Sequence, residues 1–253
     1  MIEGKHISFS YPEKDVLKDV SFQVEKGTFY AILGPNGSGK TTLIRCISAY
    51  LTPDHGEIRI DGKPLIQYSP KDIACMMALV PQHSYLEYDF TVGDIVMMGR
   101  NPHLRRGERE SGLDYDIANT AMEQAGVLHL KRRSARNLSG GEWQRIIIAR
   151  ALAQQSPIML MDEPVSSLDI GHQIEILRMA KELTKRGKSI VCVLHDLSLA
   201  MHYADCVLVM RDGEVYAQGK TMDVLNSGTI RDVYHVQADI MQHKGGHIIA
   251  PIY

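Results

Sequence analysis

The residues best suited to chemistry lie in a glycine-rich stretch at residues 34–42, GPNGSGKTT. Apolar residues 28–33 predict a buried strand before it, and residues 43–48 predict a helix after it. Glycines let backbone N–H groups turn inward onto phosphate oxygens, and the helix N-terminus adds its positive dipole. The alternative is a turn that binds nothing. The pattern favours a phosphate site made of Gly34, Asn36, Gly37, Ser38, Gly39, Lys40, Thr41 and Thr42.

Four side chains could add chemistry to such a site. Lys40 is expected to reach the β- and γ-phosphates, and the Thr41 hydroxyl to bind Mg²⁺. Asp162 and Glu163 end an apolar run at residues 158–161, where a buried strand is expected to end. Asp162 would hold Mg²⁺ through water, and Glu163 would orient or deprotonate the attacking water. By itself, this pair would be only an acidic turn after a core strand.

Two further stretches are candidates for phosphate contacts. Ser139 and Glu142 have the spacing of a capping box, and Gly140 and Gly141 expose backbone N–H groups at a helix start, which makes a second anion site. His195 follows another apolar run, at residues 189–194, where it could hydrogen-bond a γ-phosphate. The simpler interpretations are a capped helix and a structural histidine.

Composition limits the class of protein. The 253 residues are 44% hydrophobic and 23% charged, as in globular proteins, and the net charge of −2 argues against a nucleic-acid binder. Four scattered cysteines predict reduced thiols rather than a disulfide framework. We find no signal peptide and no apolar stretch of about 18 residues. We therefore expect a protein located in the cytoplasm, and the length allows one large domain or two modest ones.

The remaining pattern predicts an α/β core with two additions. Residues 2–10 and 16–24 predict an antiparallel hairpin, with Tyr11 at its turn as either an adenine-stacking platform or a surface residue. From about residue 83 helix formers dominate, with a polar loop at residues 101–112. This inserted helical subdomain is placed at approximately residues 83–150. A last hairpin is expected over residues 238–252, in which His243 and His247 are hairpin-end residues and metal binding is the alternative.

The order of these motifs resembles that of the ATP-binding-cassette (ABC) ATPases. Residues 34–42 match the Walker A motif, Gln82 the Q-loop and residues 138–142 the signature motif. Residues 158–163 match the Walker B motif, residues 167–169 the D-loop, His195 the H-loop and Tyr11 the A-loop. The resemblance covers essentially the whole chain and implies a single domain over residues 1–253. One departure is Glu142, where glutamine is commoner in the family.

The resemblance implies a fold and a mechanism. The fold would be a P-loop NTPase with a RecA-like core, an antiparallel β subdomain and the helical insert. Two copies would pair head to tail, so that the Walker A motif of one and residues 139–141 of the other enclose each ATP. It also implies that Glu163, His195, Lys40 and Gln82 are catalytic, that Tyr11 and Asp169 contact nucleotide, and that Gln82 joins Thr41 and Asp162 at Mg²⁺.

The resemblance further indicates a type of transporter. Residues 99–103, GRNPH, are similar to a stretch in ATPases of iron-siderophore, haem and vitamin B12 importers. We therefore expect a peripheral subunit at the cytoplasmic face of the cell membrane. Its partners would be a second copy, a separate integral membrane permease and, indirectly, a substrate-binding protein, with no nucleic acid. The alternatives are a molybdate or zinc/manganese transporter, or an ABC ATPase that acts on DNA or ribosomes.

Overall fold

The computed structural model describes residues 1–82, 89–105, 107–166, 168–243 and 246–252. The predicted start of the insert at residue 83, Ser167 of the D-loop and the turn residues 244 and 245 lie outside these ranges. The strands are Ile2–Tyr11 (β1), Lys14–Val24 (β2), Phe29–Leu33 (β3), His55–Ile60 (β4), Lys63–Pro64 (β5), Met77–Val80 (β6), Ile158–Asp162 (β7), Ser189–Val193 (β8), Cys206–Arg211 (β9), Glu214–Lys220 (β10), Ala238–His243 (β11) and Gly246–Pro251 (β12). The helices are Lys40–Ile47 (α1), Pro70–Met76 (α2), Val92–Met97 (α3), Gly112–Gln124 (α4), Gly140–Ala153 (α5), Ile170–Lys185 (α6), Leu197–Tyr203 (α7), Thr221–Val224 (α8) and Ser227–Tyr234 (α9).

The central sheet has the strand order β10-β9-β3-β8-β7-β6. Strands β9, β3, β8, β7 and β6 are parallel, and β10 is antiparallel to β9 at the edge. All residues of β3, β7 and β8 are buried, as expected for parallel strands covered on both faces. Because these strands run in one direction, their carboxyl ends line a single edge of the sheet.

A second sheet, with the order β2-β1-β4-β5, is antiparallel and contains the hairpin predicted at the N-terminus. Its buried face includes Val20, Phe22 and Val24, the alternating residues of β2. These side chains form one core cluster with α1 and with one face of the central sheet. The two sheets therefore share a hydrophobic layer that holds α1 and the loop before it.

Helices α3, α4 and α5 pack together on the other core cluster. Each begins with a capping box, at Thr91, Ser111 and Ser139. Arg100 and Asp114 form a buried ion pair with Nε and Oδ1 2.9 Å apart. Arg100 also donates to the Ala153 carbonyl at 2.8 Å, so this charge is shared by a carboxylate and the end of α5.

Two local predictions differ from the structure. The predicted loop at residues 101–112 is shorter, because a 3₁₀ helix covers Met98–His103 and α4 already begins at Gly112. Helix α7 was not predicted, although Asp196 caps it and the buried Ala200 and Met201 lie on one face. The last hairpin is confirmed by the pairing of β11 with β12. Within the described ranges, no helix is both long and apolar enough to cross a membrane.

Candidate nucleotide site

The candidate residues come together at the carboxyl edge of the central sheet. The glycine-rich loop follows β3, His195 follows β8, Asp162 ends β7, and Gln82 follows β6. Because β3, β8, β7 and β6 are consecutive neighbours, four separate parts of the sequence meet along this edge. Open parallel sheets bind ligands at this edge.

The loop at residues 34–42 has the backbone that its glycines predict. Gly34, Gly37 and Gly39 have φ angles of 145°, 81° and 102°, which L-residues rarely adopt. A Cβ on Gly34 would lie 2.3 Å from the Met210 carbonyl oxygen. A Cβ on Gly39 would lie 2.9 Å from the Val16 carbonyl oxygen. The loop therefore packs closely against β9 and β2. No local sequence motif predicted these contacts.

Lys40 is folded back onto this loop. Its ammonium donates to the carbonyl oxygens of Gly34 and Pro35, each at 2.9 Å, and the residue is only 5% exposed. Burial lowers the pKa of Lys40, and the nearby charges of Glu163 and Asp162 oppose that shift. The ammonium is therefore held at the loop by neutral carbonyls, a position from which it can turn to an anionic phosphate.

Thr41 and Asp162, two of the residues predicted to hold Mg²⁺, are in direct contact. The Thr41 hydroxyl donates to Asp162 Oδ1 at 3.2 Å. Burial is the main cause that raises the pKa of Asp162, while the Thr41 hydrogen bond lowers it. Hydroxyl and carboxylate oxygens suit Mg²⁺, and no cluster of three or more His, Cys, Asp or Glu in the described part of the chain could hold another metal. The Ser38 hydroxyl is buried and has no hydrogen-bond partner among the described residues, so it is available to donate to a phosphate oxygen.

Glu163 is held from both sides. Gln82 Nε2 donates to Glu163 Oε2 at 2.5 Å, and His195 Nε2 lies 2.6 Å from Glu163 Oε1. Glu163 itself has a φ of 50°, a left-handed conformation that is uncommon for a non-glycine residue. The three side chains belong to the ends of adjacent strands, so the sheet order explains why they meet. A carboxylate oriented in this way can accept a proton from water.

The second predicted anion site has a different environment. Ser139 caps α5: its hydroxyl accepts from the Glu142 N–H at 3.3 Å, and Glu142 Oε2 accepts from the Ser139 N–H at 2.7 Å. Gly140 is exposed, and nothing lies within 4 Å of a Cβ built on it. Among the described residues, no hydrogen bond or ion pair joins residues 139–141 to residues 34–42. Within the described part of one chain, the two predicted anion sites are therefore not joined by hydrogen bonds or ion pairs.

Two predicted nucleotide contacts have other roles in the structure. Tyr11 ends β1 with its ring edge-on to Phe9, the two centroids 5.0 Å apart, and it remains 38% exposed. Asp169 caps α6: Oδ1 accepts from the His172 N–H at 3.0 Å, and Oδ2 lies 2.7 Å from His172 Nδ1. Their contacts with nucleotide stay predictions. Sequence reasoning missed His172, although its three-residue spacing from a capping Asp was a usable signal.

Comparison with known proteins agrees with this arrangement. The family model of the ABC transporters matches residues 17–166. The hemin import ATP-binding protein HmuV of Nocardia farcinica (strain IFM 10152) is 40% identical over 245 residues, 96% of this chain and 84% of that protein.

Two solved structures are similar in fold. One is an inward-facing conformation of a metal-chelate type ABC transporter, with a TM-score of 0.87 and 27% identity, covering 100% of this chain and 97% of that one. The other is a dimeric post-hydrolysis ATP-binding cassette with ADP and phosphate, with a TM-score of 0.77 and 28% identity, covering 87% and 99%. With the family model over more than half of its length, the chain belongs to the ABC transporter family and is one of its ATPase cassettes.

Proposed function

We propose that this cassette is the ATP-hydrolysing subunit of an importer, and that it powers uptake of a metal chelate such as haem, an iron-siderophore or cobalamin through a separate permease. The observation that carries the chemical part is Glu163, held by Gln82 and His195 beside Lys40 and the Thr41–Asp162 pair. The HmuV relative and the metal-chelate transporter structure support the importer part.

The loop residues bind the phosphates of ATP. Gly34, Asn36, Gly37, Ser38, Gly39, Lys40, Thr41 and Thr42 form the binding loop. Lys40 exchanges its two carbonyl acceptors for the β- and γ-phosphate oxygens, where its charge is balanced. The buried Ser38 hydroxyl, which has no hydrogen-bond partner in the described part of the chain, gains a phosphate acceptor. Tyr11, the partly exposed last residue of β1, stacks its ring on adenine.

Mg²⁺ fits the oxygen atoms at this site. Thr41 and Asp162 would hold the ion, with Asp162 acting through water. The side-chain carbonyl of Gln82 would be the third protein group at the ion. When bound, the ion would neutralise charge that develops between the β- and γ-phosphates. Its charge would also favour the ionised form of Asp162, against the burial that raises the pKa of this carboxyl.

Glu163 deprotonates or orients the water that attacks the γ-phosphate. In the structure both of its oxygens are engaged, one by Gln82 and one by His195. Opening one of these contacts would free a further lone pair of Glu163 to accept a proton from water. His195 then becomes available to hydrogen-bond the γ-phosphate, and Gln82 to bind Mg²⁺. This exchange ties hydrolysis to the presence of nucleotide.

The second half of each ATP site comes from another copy. Residues 139–141 are accessible and begin a 14-residue helix with its positive dipole end facing out. Because no hydrogen bond or ion pair in the described ranges joins them to the loop at residues 34–42, a head-to-tail dimer would give them a nucleotide to bind. Asp169, at the start of α6, lies in the same dimer surface. The dimeric cassette with ADP and phosphate supports this arrangement.

The permease docks on the helical subdomain, residues 83–150 approximately. A cavity with a volume of about 440 Å³ lies there between α3 and α4, with Met97, Met98 and Met122 in its wall. Methionine side chains adapt to the shape of a partner. The cavity also contacts Asn101 in the GRNPH stretch.

The GRNPH stretch holds the far end of α5. Arg100 donates to the Ala153 carbonyl, and His103 Nε2 lies 2.8 Å from the Gln154 carbonyl oxygen. A Cβ on Gly99 would lie 2.2 Å from the Arg150 carbonyl oxygen, so the close approach requires glycine. The motif thereby connects the docking cavity to the helix whose other end carries residues 139–141. With a permease bound at this cavity, the cassette would lie at the cytoplasmic face of the membrane.

Isolation of the full chain from its own membranes tests this function. We expect an integral membrane permease to copurify, and its reconstitution with the chain in liposomes to stimulate ATP hydrolysis. Tyr115→Arg, in the cavity wall, should abolish copurification. Leu113→Arg is the matched control, because it lies on the same helix, is exposed, and is not part of the cavity wall. No membrane partner, or one that leaves hydrolysis unchanged, would overturn the proposal, and a DNA- or ribosome-bound chain would favour the soluble alternative.

A further inference from the structure

The surface beside the predicted signature motif contains a histidine that the proposed function does not use. A Cβ built on Gly141 would lie 3.5 Å from both Cδ2 and Nε2 of His172, which is ordinary van der Waals distance. The imidazole edge is therefore the nearest group on that side of the signature backbone. His172 is on α6, so a different element forms the wall behind the start of α5.

The imidazole is fixed in orientation by Asp169. The pKa of the Asp169 carboxyl is held below its usual value by hydrogen bonds from the backbone and the imidazole of His172, so the carboxylate is ionised near neutral pH. An ionised carboxylate only accepts hydrogen bonds, so His172 Nδ1 must carry the proton that it donates to Oδ2 at 2.7 Å. Nε2 is then left on the edge that faces Gly141.

A second contact keeps α5 and α6 in fixed positions behind this wall. Arg145, in the second turn of α5, forms an ion pair with Glu175 of α6. The Arg145 side chain is largely buried, whereas that of Glu175 is about half exposed. Asp169, His172 and residues 139–141 thus belong to one locally braced surface. This is the surface that the proposed dimer presents to the ATP of the other copy.

We propose that His172 is a positioning residue for ATP hydrolysis in the dimer. It forms the wall beside Gly141 that keeps the backbone N–H of this residue directed at the second copy's γ-phosphate, and Asp169 sets the orientation of that wall. The inference rests on the proposed head-to-tail dimer. It predicts an effect on ATP-driven dimer formation and no effect on nucleotide binding by a single chain, because no hydrogen bond or ion pair among the described residues joins His172 to the loop at residues 34–42.

Three substitutions of His172 distinguish its position beside Gly141 from its hydrogen bond with Asp169, the cap of α6. His172→Ala removes both the ring and its bond to Asp169. His172→Asn retains a donor for Asp169 and is too short to form the wall, whereas His172→Phe retains a ring and loses the bond. His6→Asn is the matched control, because His6 Nδ1 also pairs with an aspartate, Asp19 Oδ1 at 2.6 Å, on the exposed hairpin of the other sheet. Asparagine tolerates the left-handed backbone of His6.

The assay measures ATP-driven dimerisation by sedimentation, in the full chain carrying Glu163→Gln with MgATP. We expect His172→Ala to raise the ATP concentration for half-maximal dimer about tenfold, the size of a coupling between adjacent groups. His172→Asn should be equally impaired, His172→Phe should recover part of the loss, and His6→Asn should match the parent. ADP affinity and the melting temperature of the single chain should stay near parental values in all four.

The outcomes separate the inference from the function on which it rests. If the Glu163→Gln parent forms no dimer with MgATP, the head-to-tail dimer is wrong and the inference fails with it. If the parent dimerises and His172→Ala does so equally well, only the inference is overturned. If His172→Asn matches the parent while His172→Phe matches His172→Ala, His172 serves only the cap of α6, which also overturns it.

Discussion

The starts of α1 and α5 are both predicted anion sites, and they are built in opposite ways. Helix α1 begins after Gly39, which provides no side-chain cap and has a left-handed φ of 102°. Helix α5 has a complete capping box in which Ser139 and Glu142 satisfy each other's backbone N–H groups. The first leaves its N–H groups for a ligand, whereas the second already stabilises its own helix.

Their surroundings differ as much as their caps. The loop before α1 is pressed against two strands, and Lys40, Ser38 and Thr42 are all buried. The start of α5 is exposed, with open space around Gly140. A site that is buried in its own chain can select nucleotide by itself, whereas an exposed one needs another surface to exclude water. The difference supports the proposal that the α1 side performs the chemistry and that the α5 side of a second copy completes the site.

Glu163→Gln is the strongest test of this division. Removing the base at the α1 side should lower the turnover of ATP roughly 10²- to 10⁴-fold, the usual contribution of general base catalysis. ATP binding should persist and a closed dimer should accumulate, because the α5 side is unchanged. Steady-state hydrolysis and sedimentation with MgATP measure the two effects. Hydrolysis at the parental rate would exclude Glu163 as the base.

Lys40→Ala should have the next largest effect. The variant loses a charge-assisted contact with the phosphates worth about 2–3 kcal/mol, so ATP affinity should fall roughly 30- to 150-fold. Binding of ATP by a single chain, measured by calorimetry, checks this value, and Lys40→Met controls for the lost volume. If affinity and turnover match those of the parent, Lys40 does not have its assigned role, and the α1 side would not differ from the α5 side as argued.

A pair of glycine substitutions compares the two loops directly. Gly34→Ala places a Cβ against the Met210 carbonyl at a φ of 145°, and we expect it to lower the free energy of unfolding by about 2–3 kcal/mol. Gly140→Ala meets open space in a helix, and it should raise that free energy by up to about 1 kcal/mol. Urea unfolding without nucleotide measures both. Equal destabilisation would show that the α5 loop is packed as tightly as the α1 loop.

The glycine-rich loop was predictable because its signal is local. Residues 34–42 specify a turn, a helix start and a lysine within nine positions, and the structure has this strand, loop and helix. The carboxylates after β7 and the capping box of Ser139 and Glu142 were predictable for the same reason. In each of these cases, the residues that define the geometry are neighbours in sequence.

The contacts that assemble the site were not predictable in this way. Glu163 meets Gln82 and His195 because β6, β7 and β8 are neighbours in the sheet, and strand order is a property of the whole fold. The close approach of the Met210 carbonyl to Gly34 also depends on strand order, because β9 and β3 are neighbours in the sheet. The role of the GRNPH stretch was also hidden, since Arg100 contacts Ala153, which is 53 positions away. A motif shows which groups are present, and the sheet order decides which of them touch.

Glu142→Gln should have the smallest effect, and it tests the cap that distinguishes α5. Hydrogen bonds from the Ser139 backbone and hydroxyl lower the pKa of Glu142, and Arg133 contributes less. Since the folded pKa is below the unfolded value of about 4.3, this stabilisation is present above about pH 4.3 and is lost as pH falls through the folded pKa. Glutamine also completes a capping box, so only the part due to charge, about 0.3–1 kcal/mol near neutral pH, should disappear.

The measurement is the difference in unfolding free energy between the parent and Glu142→Gln from pH 7 down to pH 3. The parent's advantage should shrink towards zero over the acid end of this range, because the protonated Glu142 carboxyl then carries no more charge than the amide. Adding Ser139→Ala to both chains should reduce the advantage at pH 7, since the hydroxyl no longer donates to the carboxylate. An advantage that is independent of pH would show that Glu142 acts through packing, and the start of α5 would then resemble the buried start of α1 more closely than its exposure suggests.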